Sequence, residues 1–218
     1  VESPVRDRVP AGTCLIETFA LAPDVPVARL ELHLARLAAS ARALGFRCSR
    51  TSVQAVIGAM DVEGPTRCRL TLDQGGTVRI TTAELPPAAA EPWVIDVHET
   101  RLSSRDRYLR HKTTQRRVYD LARAALPDGV QEWVFLNERD EICEGTITNI
   151  AVETQDGVVL TPPVASGVLP GVYRQSQLGA GVWQEAVLTL DDLRSAKRVI
   201  LSNALRGEIA AVWGGGDC

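Results

Sequence analysis

The chain has 218 residues, a net charge of −3, and 45% hydrophobic against 23% charged residues. That composition suits a globular protein of one large or two small domains and argues against a generic nucleic-acid surface. It contains no run of eighteen apolar residues that would span a membrane. Five cysteines (Cys14, Cys48, Cys68, Cys143 and Cys218) are scattered and odd in number, without a Cys-x-x-Cys pair, and the opening Val1-Glu2-Ser3-Pro4-Val5-Arg6-Asp7 lacks the apolar core of a signal peptide. We therefore expect reduced, mostly packing cysteines, no metal centre, no membrane or nucleic-acid partner, and a cytoplasmic location.

In chain order, Cys14 to Leu21 reads as a strand. Leu30, Leu34, Leu37, Ala41 and Leu44 recur at spacings of three and four, which predicts a helix ended by Gly45. On that helix Arg36 reads, by itself, as a solvated charge. Ser52 to Met60 is a second, short helix. The period then changes to two: 66–72 and 77–82 flank Gln74-Gly75-Gly76, a hairpin signal. A spacer rich in proline and alanine (85–90) leads to a strand at 93–97. Residues 100–110 are polar and carry Arg101, Arg105, Arg107 and Arg110, which we expect in a linker with some guanidinium groups turned to an anionic ligand.

The second half opens with a helix from Thr114 to Ala125, then strands at 132–137, 141–145, 148–153 and 158–160. Gly167-Val168-Leu169-Pro170-Gly171 enters a helix, Thr189-Leu190-Asp191-Asp192-Leu193 is a short capped helix, and 198–203 is a strand of the buried type. No internal repeat is present, and the one low-complexity stretch is Gly214-Gly215-Gly216.

Of the 24 basic residues only Lys112 and Lys197 are lysines. Lysine forms imines once its amine is neutral, whereas a guanidinium does not. Lys112 is therefore either a leftover surface lysine or a nucleophile. A glycine-bearing helix start at Leu169-Pro170-Gly171-Val172-Tyr173 suits a phosphate, and Arg36 can add a charged clamp. Glu144 is either an ordinary strand-end acid or, beside Gly145, a carboxylate that a ligand approaches closely. Lysine, phosphate cradle and carboxylate are the parts that hold pyridoxal 5'-phosphate.

Arg110-His111-Lys112-Thr113-Thr114, Glu144-Gly145-x-x-Thr148-Asn149-Ile150, Gly167-x-Leu169-Pro170-Gly171-x-x-Arg174 and Ser202-Asn203-Ala204-Leu205-Arg206-Gly207, with Glu17-Thr18-Phe19 and the segment from His33 to Ser40, resemble the class IV aminotransferase family. The resemblance runs from about Leu15 to Ala211. It implies an α+β, two-domain, fold type IV pyridoxal-phosphate enzyme like D-amino-acid aminotransferase, with a small N-terminal α/β domain (1–103), a strand-rich C-terminal cofactor domain (108–218) and a homodimer. It implies that Lys112 bonds covalently to the cofactor and moves protons, and that Glu144 pairs with the ring nitrogen. It further implies that Arg36 grips the phosphate, that Thr148, Asn149, Leu169, Gly171, Val172 and Tyr173 line ring and phosphate, and that Asn203 closes the site. Substrate contacts are expected from Glu17 and from Arg101, Arg105, Arg107 or Arg110. Ala204 departs from the threonine that transaminase members often place against the phosphate. The segment before the first strand is shorter than is usual in the family, which implies an altered pocket wall. His-Lys-Thr-Thr and Ser-Asn-Ala-Leu-Arg-Gly are most similar to the aminodeoxychorismate lyase branch. The alternatives are an aminotransferase of a small or branched-chain amino acid and a non-catalytic cofactor-binding homologue.

Overall fold

The computed structural model describes residues 9–214; Cys218 and the glycines at 215 and 216 lie outside the described residues, as do residues 1–8. The fold has two sheets. The first is three-stranded and antiparallel, β1 (Leu15–Leu21), β2 (Thr66–Leu72) and β3 (Val78–Glu84), in that order. Helices α1 (Leu30–Leu44) and α2 (Arg50–Gly58) join β1 to β2. The apolar stripe of α1 packs Leu34, Leu37, Ala41 and Leu44 against Leu15, Phe19, Cys68, Leu70 and Leu72, where burial of apolar surface supplies the driving force. Gly45 ends α1 at φ 76°, a left-handed conformation that glycine adopts without a Cβ clash. Ser49 caps α2, its side chain accepting the Ser52 N–H.

Strand alternation fixes which charges face the rest of the molecule. Cys68, Leu70 and Leu72 point into the helix-covered core, so Arg67 and Arg69 occupy the opposite face. The register places Thr18 across from Arg69 and Ala20 across from Arg67.

The second sheet has seven strands in the order β5-β4-β10-β9-β6-β7-β8. These are β4 (Trp93–Leu102), β5 (Glu132–Asn137), β6 (Asn149–Glu153), β7 (Val159–Thr161), β8 (Trp183–Glu185), β9 (Arg198–Asn203) and β10 (Gly207–Trp213). β4 runs parallel to β5 and β10, while β9 is antiparallel to β10 and β6. On one face Ile95, Val134, Ile150, Val152, Leu201 and Ile209 pack with Leu188 and Leu193, the latter from the short helix α5 (Leu190–Ser195). Thr189 and Asp192 close a capping box on α5. α3 (Arg117–Ala124) and α4 (Val172–Gly179) supply Tyr119, Ala122 and Tyr173 to two smaller clusters. Among the described residues no helix is long and apolar enough to cross a membrane.

Several expectations change. A boundary at residue 103 would assign β4 to the first unit, yet β4 hydrogen-bonds to β5 and β10, so the crossing between sheets falls in residues 85–92. The expected 100–110 linker is the end of β4 followed by a 3₁₀ turn, Arg107–Arg110. Residues 141–145 form only isolated bridges, Leu136 with Ile142 and Glu144 with Asn149. β8 and β10 had no counterpart in the sequence reading.

Candidate active site

Lys112 is placed by both units. Its carbonyl accepts the Ile16 N–H at 2.8 Å, and the Thr114 N–H reaches the Cys14 carbonyl at 2.9 Å, so the lysine segment is strapped along β1. His111 continues the seam, its Nδ1 3.0 Å from Ser40 Oγ on α1. The Lys112 side chain opens into a cavity of about 360 Å³. It keeps some solvent access, but its amine is densely surrounded. Burial first, then the charges of Arg36 and Arg116, bring its pKa down to about 8, against the opposing pull of Glu17 and Glu144.

Glu144 faces the same cavity from the bridge between β5 and β6. Tyr119 Oη donates to its Oε1 at 2.7 Å, and the Leu169 N–H and Asn149 Nδ2 donate to Oε2 at 3.0 and 3.3 Å. Burial raises its pKa to about 7 although Tyr119, the Leu169 N–H and Lys112 oppose the shift. Tyr119 is pushed well above the usual phenol range, by burial and then by Glu144. Lysine and carboxylate thus sit in one cavity, both poised near neutrality.

Gly171 is the N-cap of α4, and no side chain caps that helix, so its first turn opens at the cavity wall through Gly171 and Val172; Tyr173, expected beside them, does not line the cavity. A Cβ on Gly171 would overlap the Asn149 carboxamide, which donates to the Leu169 carbonyl at 2.9 Å. Arg174 is wholly buried and anchors α4 to the Pro162 carbonyl and to Glu185. Thr148 lines the cavity, but its hydroxyl turns beneath the loop to Glu132 at 3.1 Å. Asn203 accepts the Leu205 and Arg206 N–H groups and reaches the Ile147 carbonyl at 3.5 Å, joining the β9–β10 turn to that loop.

Arg36, Lys112, Glu144, Thr148, Asn149, Leu169, Gly171, Val172 and Asn203 all line this cavity. Arg36 is no solvated charge: its side chain is 9% exposed and grips both oxygens of Glu17 at 2.6 and 2.8 Å, with Nη1 3.3 Å from the Pro170 carbonyl. Glu17, expected to touch substrate, does not line the cavity. It lies on the helix-covered face of β1, bonded to Arg36 and to His33 Nδ1 at 2.6 Å. Burial works against its ionisation, but Arg36 and His33 hold its carboxyl below the ordinary value. The Tyr173 ring also turns away, under the Arg29 guanidinium at 4.6 Å and edge-on to Trp183.

The four linker arginines are a further correction, because none lines the cavity. Arg101 pairs with Asp140 at 2.9 Å, Arg107 lies over the Tyr108 ring, Arg110 donates to the Ser104 carbonyl and Arg105 is exposed. The 3₁₀ turn directs Tyr108 and Leu109 inward in their place. The arginines that do line the cavity are Arg36, Arg67, Arg69, Arg116, Arg123 and Arg206. Among the described residues, the only carboxylates beside them in the wall are Asp120 and Glu144. The alternation in Arg67-Cys68-Arg69-Leu70 was the available signal for two of them, since it puts both on one face. Glu132 also went unread. It is wholly buried at the start of β5 and accepts hydrogen bonds from Trp133 N, Thr146 N, Thr146 Oγ1, Ile147 N and Thr148 Oγ1.

Residues 15–212 match the family model for amino-transferase class IV. A solved structure from Mesorhizobium loti, provisionally named an amino-acid aminotransferase, superposes with a TM-score of 0.88 and 38% identity over 92% of this chain and 99% of its own. Aminodeoxychorismate lyase of Saccharomyces cerevisiae is 30% identical over 112 residues, 48% of this chain and 30% of the yeast protein. A branched-chain-amino-acid aminotransferase of Salmonella typhimurium is 38% identical over 80 residues, 34% of this chain and 25% of the enzyme. The matched stretches therefore span less than a third of these two curated relatives.

Proposed function

The chain belongs to the class IV aminotransferase family, whose enzymes use pyridoxal 5'-phosphate, and from that premise we propose that it is a 4-amino-4-deoxychorismate lyase, releasing 4-aminobenzoate and pyruvate. The observation that carries this reading is the cationic cavity wall, with six arginines around Lys112. An aromatising dicarboxylate finds cations there, whereas a branched aliphatic side chain would have to displace water from guanidinium groups.

The residues fit the cofactor. An amine with a pKa of about 8, a buried carboxylate for a ring nitrogen, and an uncapped helix start beside Arg36 for a phosphate all open on one cavity. Pyridoxal phosphate, when bound, supplies an aldehyde that captures amines and a ring that accepts electrons. Lys112 is the residue proposed to hold that aldehyde and, once the substrate amine displaces it, to take the proton from the amine-bearing ring carbon at Nζ. Breaking the C–O bond to the enolpyruvyl group then leaves an aromatic ring, and the proton held at Nζ is available to the departing group. Glu144 would keep a cation at the ring nitrogen, its carboxylate oriented by Tyr119 and by the Leu169 N–H. Arg36, tethered by Glu17, would hold the phosphate together with the first turn of α4. Lys112 and Glu144 together weigh against a non-catalytic homologue.

The second reading, an aminotransferase, is favoured by the name of the 38% identical M. loti relative. Incubation with aminodeoxychorismate decides between the two. The lyase forms 4-aminobenzoate and pyruvate in equal amounts with no added 2-oxo acid. Failure to form 4-aminobenzoate, together with turnover of an amino acid that stalls until 2-oxoglutarate or pyruvate is added, would overturn it. We further propose a cytoplasmic location, in keeping with the scattered, unpaired cysteines, and a homodimer, as the family resemblance implies. Sedimentation at micromolar concentration should give twice the 23.6 kDa chain mass, and a fully active monomer would contradict it.

A further inference from the structure

The six arginines of the cavity wall are not equivalent. Arg36 is neutralised by Glu17, Arg116 by Asp120 at 2.7 Å, and Arg123 reaches Glu132 at 3.4 Å. Arg67, Arg69 and Arg206 have no carboxylate partner among the described residues. Their surroundings separate them further. Arg69 feels the positive charges of Arg116 and Arg67 but also Asp120, so a negative charge lies within its reach. Arg206 feels Arg123 and Arg67, both positive. Burial first, then those two charges, pull the Arg206 pKa down, and Arg67 and Arg206 line the same cavity wall. Arg206 is also fixed in place: its guanidinium lies 5.4 Å over the Trp93 ring, and its backbone N–H is held by Asn203 Oδ1 at 3.0 Å. Its Nε is nevertheless buried without a hydrogen-bond partner, a costly state unless an acceptor arrives.

We propose that Arg67 and Arg206, backed by Arg123, form a carboxylate subsite that takes the substrate carboxylate remote from the reacting amine. Arg67 comes from β2 of the first sheet, and Arg206 from the turn between β9 and β10 of the second. A carboxylate between them replaces like-charge repulsion with two charge-assisted contacts and gives the orphaned Nε–H its acceptor. Each cation is then bonded to an anion that only the correct substrate carries, so the subsite selects dicarboxylates.

The inference rests on the reading of the cavity as the site of an amine substrate, and the test separates the two. Binding of 3-(carboxymethoxy)benzoate, an aromatic dicarboxylate, and of 3-methoxybenzoate is measured by titration calorimetry on the cofactor-loaded protein. The dicarboxylate should bind at least about tenfold tighter. Arg206→Gln and Arg67→Gln should each remove most of that preference and leave the monocarboxylate and the cofactor absorption band unchanged. The double variant should lose little more than either single one, because both arginines hold one group. Equal affinities for the two probes, or a preference intact in both variants, would overturn the subsite. So would a change from dimer to monomer with affinity retained, which would assign these arginines to a subunit contact. If the subsite is right and the lyase reading wrong, the preference for the dicarboxylate persists while aminodeoxychorismate yields no 4-aminobenzoate. If the lyase reading is right and the subsite wrong, Arg206→Gln makes 4-aminobenzoate with an unchanged KM.

Discussion

Lys112 and Glu144 show how a fold moves reactivity toward neutral pH with burial and a few neighbours. With a pKa of about 8, roughly a tenth of the Lys112 amines are neutral at pH 7 and most are neutral at pH 9. Covalent capture of pyridoxal phosphate by the cofactor-free protein should therefore accelerate about tenfold from pH 7 to pH 9 and then level off, followed by absorbance and by borohydride labelling. Labelling at Lys197, which is tied to Glu153 at 2.7 Å on the surface, would refute the assignment; Lys112→Ala should take no label. Glu144 gives a second test through stability. Its folded pKa of about 7 lies above its ordinary value of 4.5, so between those pH values the folded state binds more protons than the unfolded state. Its contribution is fully present below pH 4.5 and is lost as pH rises through 7. Urea unfolding of the cofactor-free protein should show Glu144→Gln gaining on the wild type between pH 5 and pH 8, by at most about 3 kcal/mol. A difference independent of pH would show that the carboxyl is not perturbed by burial.

At the scale of elements, what the sequence exposed depended on how local the signal was. α1 and the β2–β3 hairpin were legible because spacing of three and four, or of two, is written into consecutive residues. β8 was not, being three residues long, and β10 presents Gly207, Ala210 and Ala211, which carry little strand preference. β4 was cut short because His98-Glu99-Thr100-Arg101 is polar, although pairing with β5 continues to Leu102. The motifs around Lys112, Glu144 and Gly171 were readable as chemistry, but the partners of the arginines were not, since which face of β2 meets the second sheet is a tertiary fact. Glu132 is the clearest case: it looks like a strand-start acid, yet it holds the 145–148 loop from below. Gly145 is required there, because a Cβ would lie 2.8 Å from Glu132 Cδ and Cγ. Those atoms cannot move aside while the carboxylate accepts the Thr146, Ile147 and Thr148 donors. Gly145→Ala should cost about 1–3 kcal/mol in unfolding free energy. Glu132→Gln turns an N–H toward groups that are themselves donors, for a similar loss. Both should weaken pyridoxal phosphate binding by equilibrium dialysis, since Thr148 ends the loop and Asn149 follows it at the start of β6. Unchanged dialysis in both variants would confine Glu132 to a structural role.

For the whole molecule the question is how two sheets keep one cavity in register. The lysine segment is paired to β1, His111 meets Ser40, Arg36 reaches the Pro170 carbonyl, and Arg29 spans from the start of α1 to α4. Arg29 isolates the energetics of this joint because it lies outside the cavity wall. It caps α1 at φ 57°, a left-handed conformation that costs a residue with a Cβ about 1–2 kcal/mol. The local sequence gains nothing from that strain, since Arg29 makes no side-chain capping bond. What offsets it is the contact across the joint: Nε donates to Ser176 Oγ at 3.0 Å and the guanidinium stacks over Tyr173. Two variants separate strain from contact. Arg29→Ala keeps the strain and loses the contact, so it should be the least stable, by about 1–2 kcal/mol. Arg29→Gly loses the contact and relieves the strain, so it should fall between alanine and wild type. Urea unfolding should give a single transition for the wild type, because Lys112 belongs to neither sheet alone. If Arg29→Gly proves more stable than the wild type, the contact with α4 does not outweigh the strain, and the joint must be held by the pairing of β1 with the lysine segment and by the His111 and Arg36 contacts.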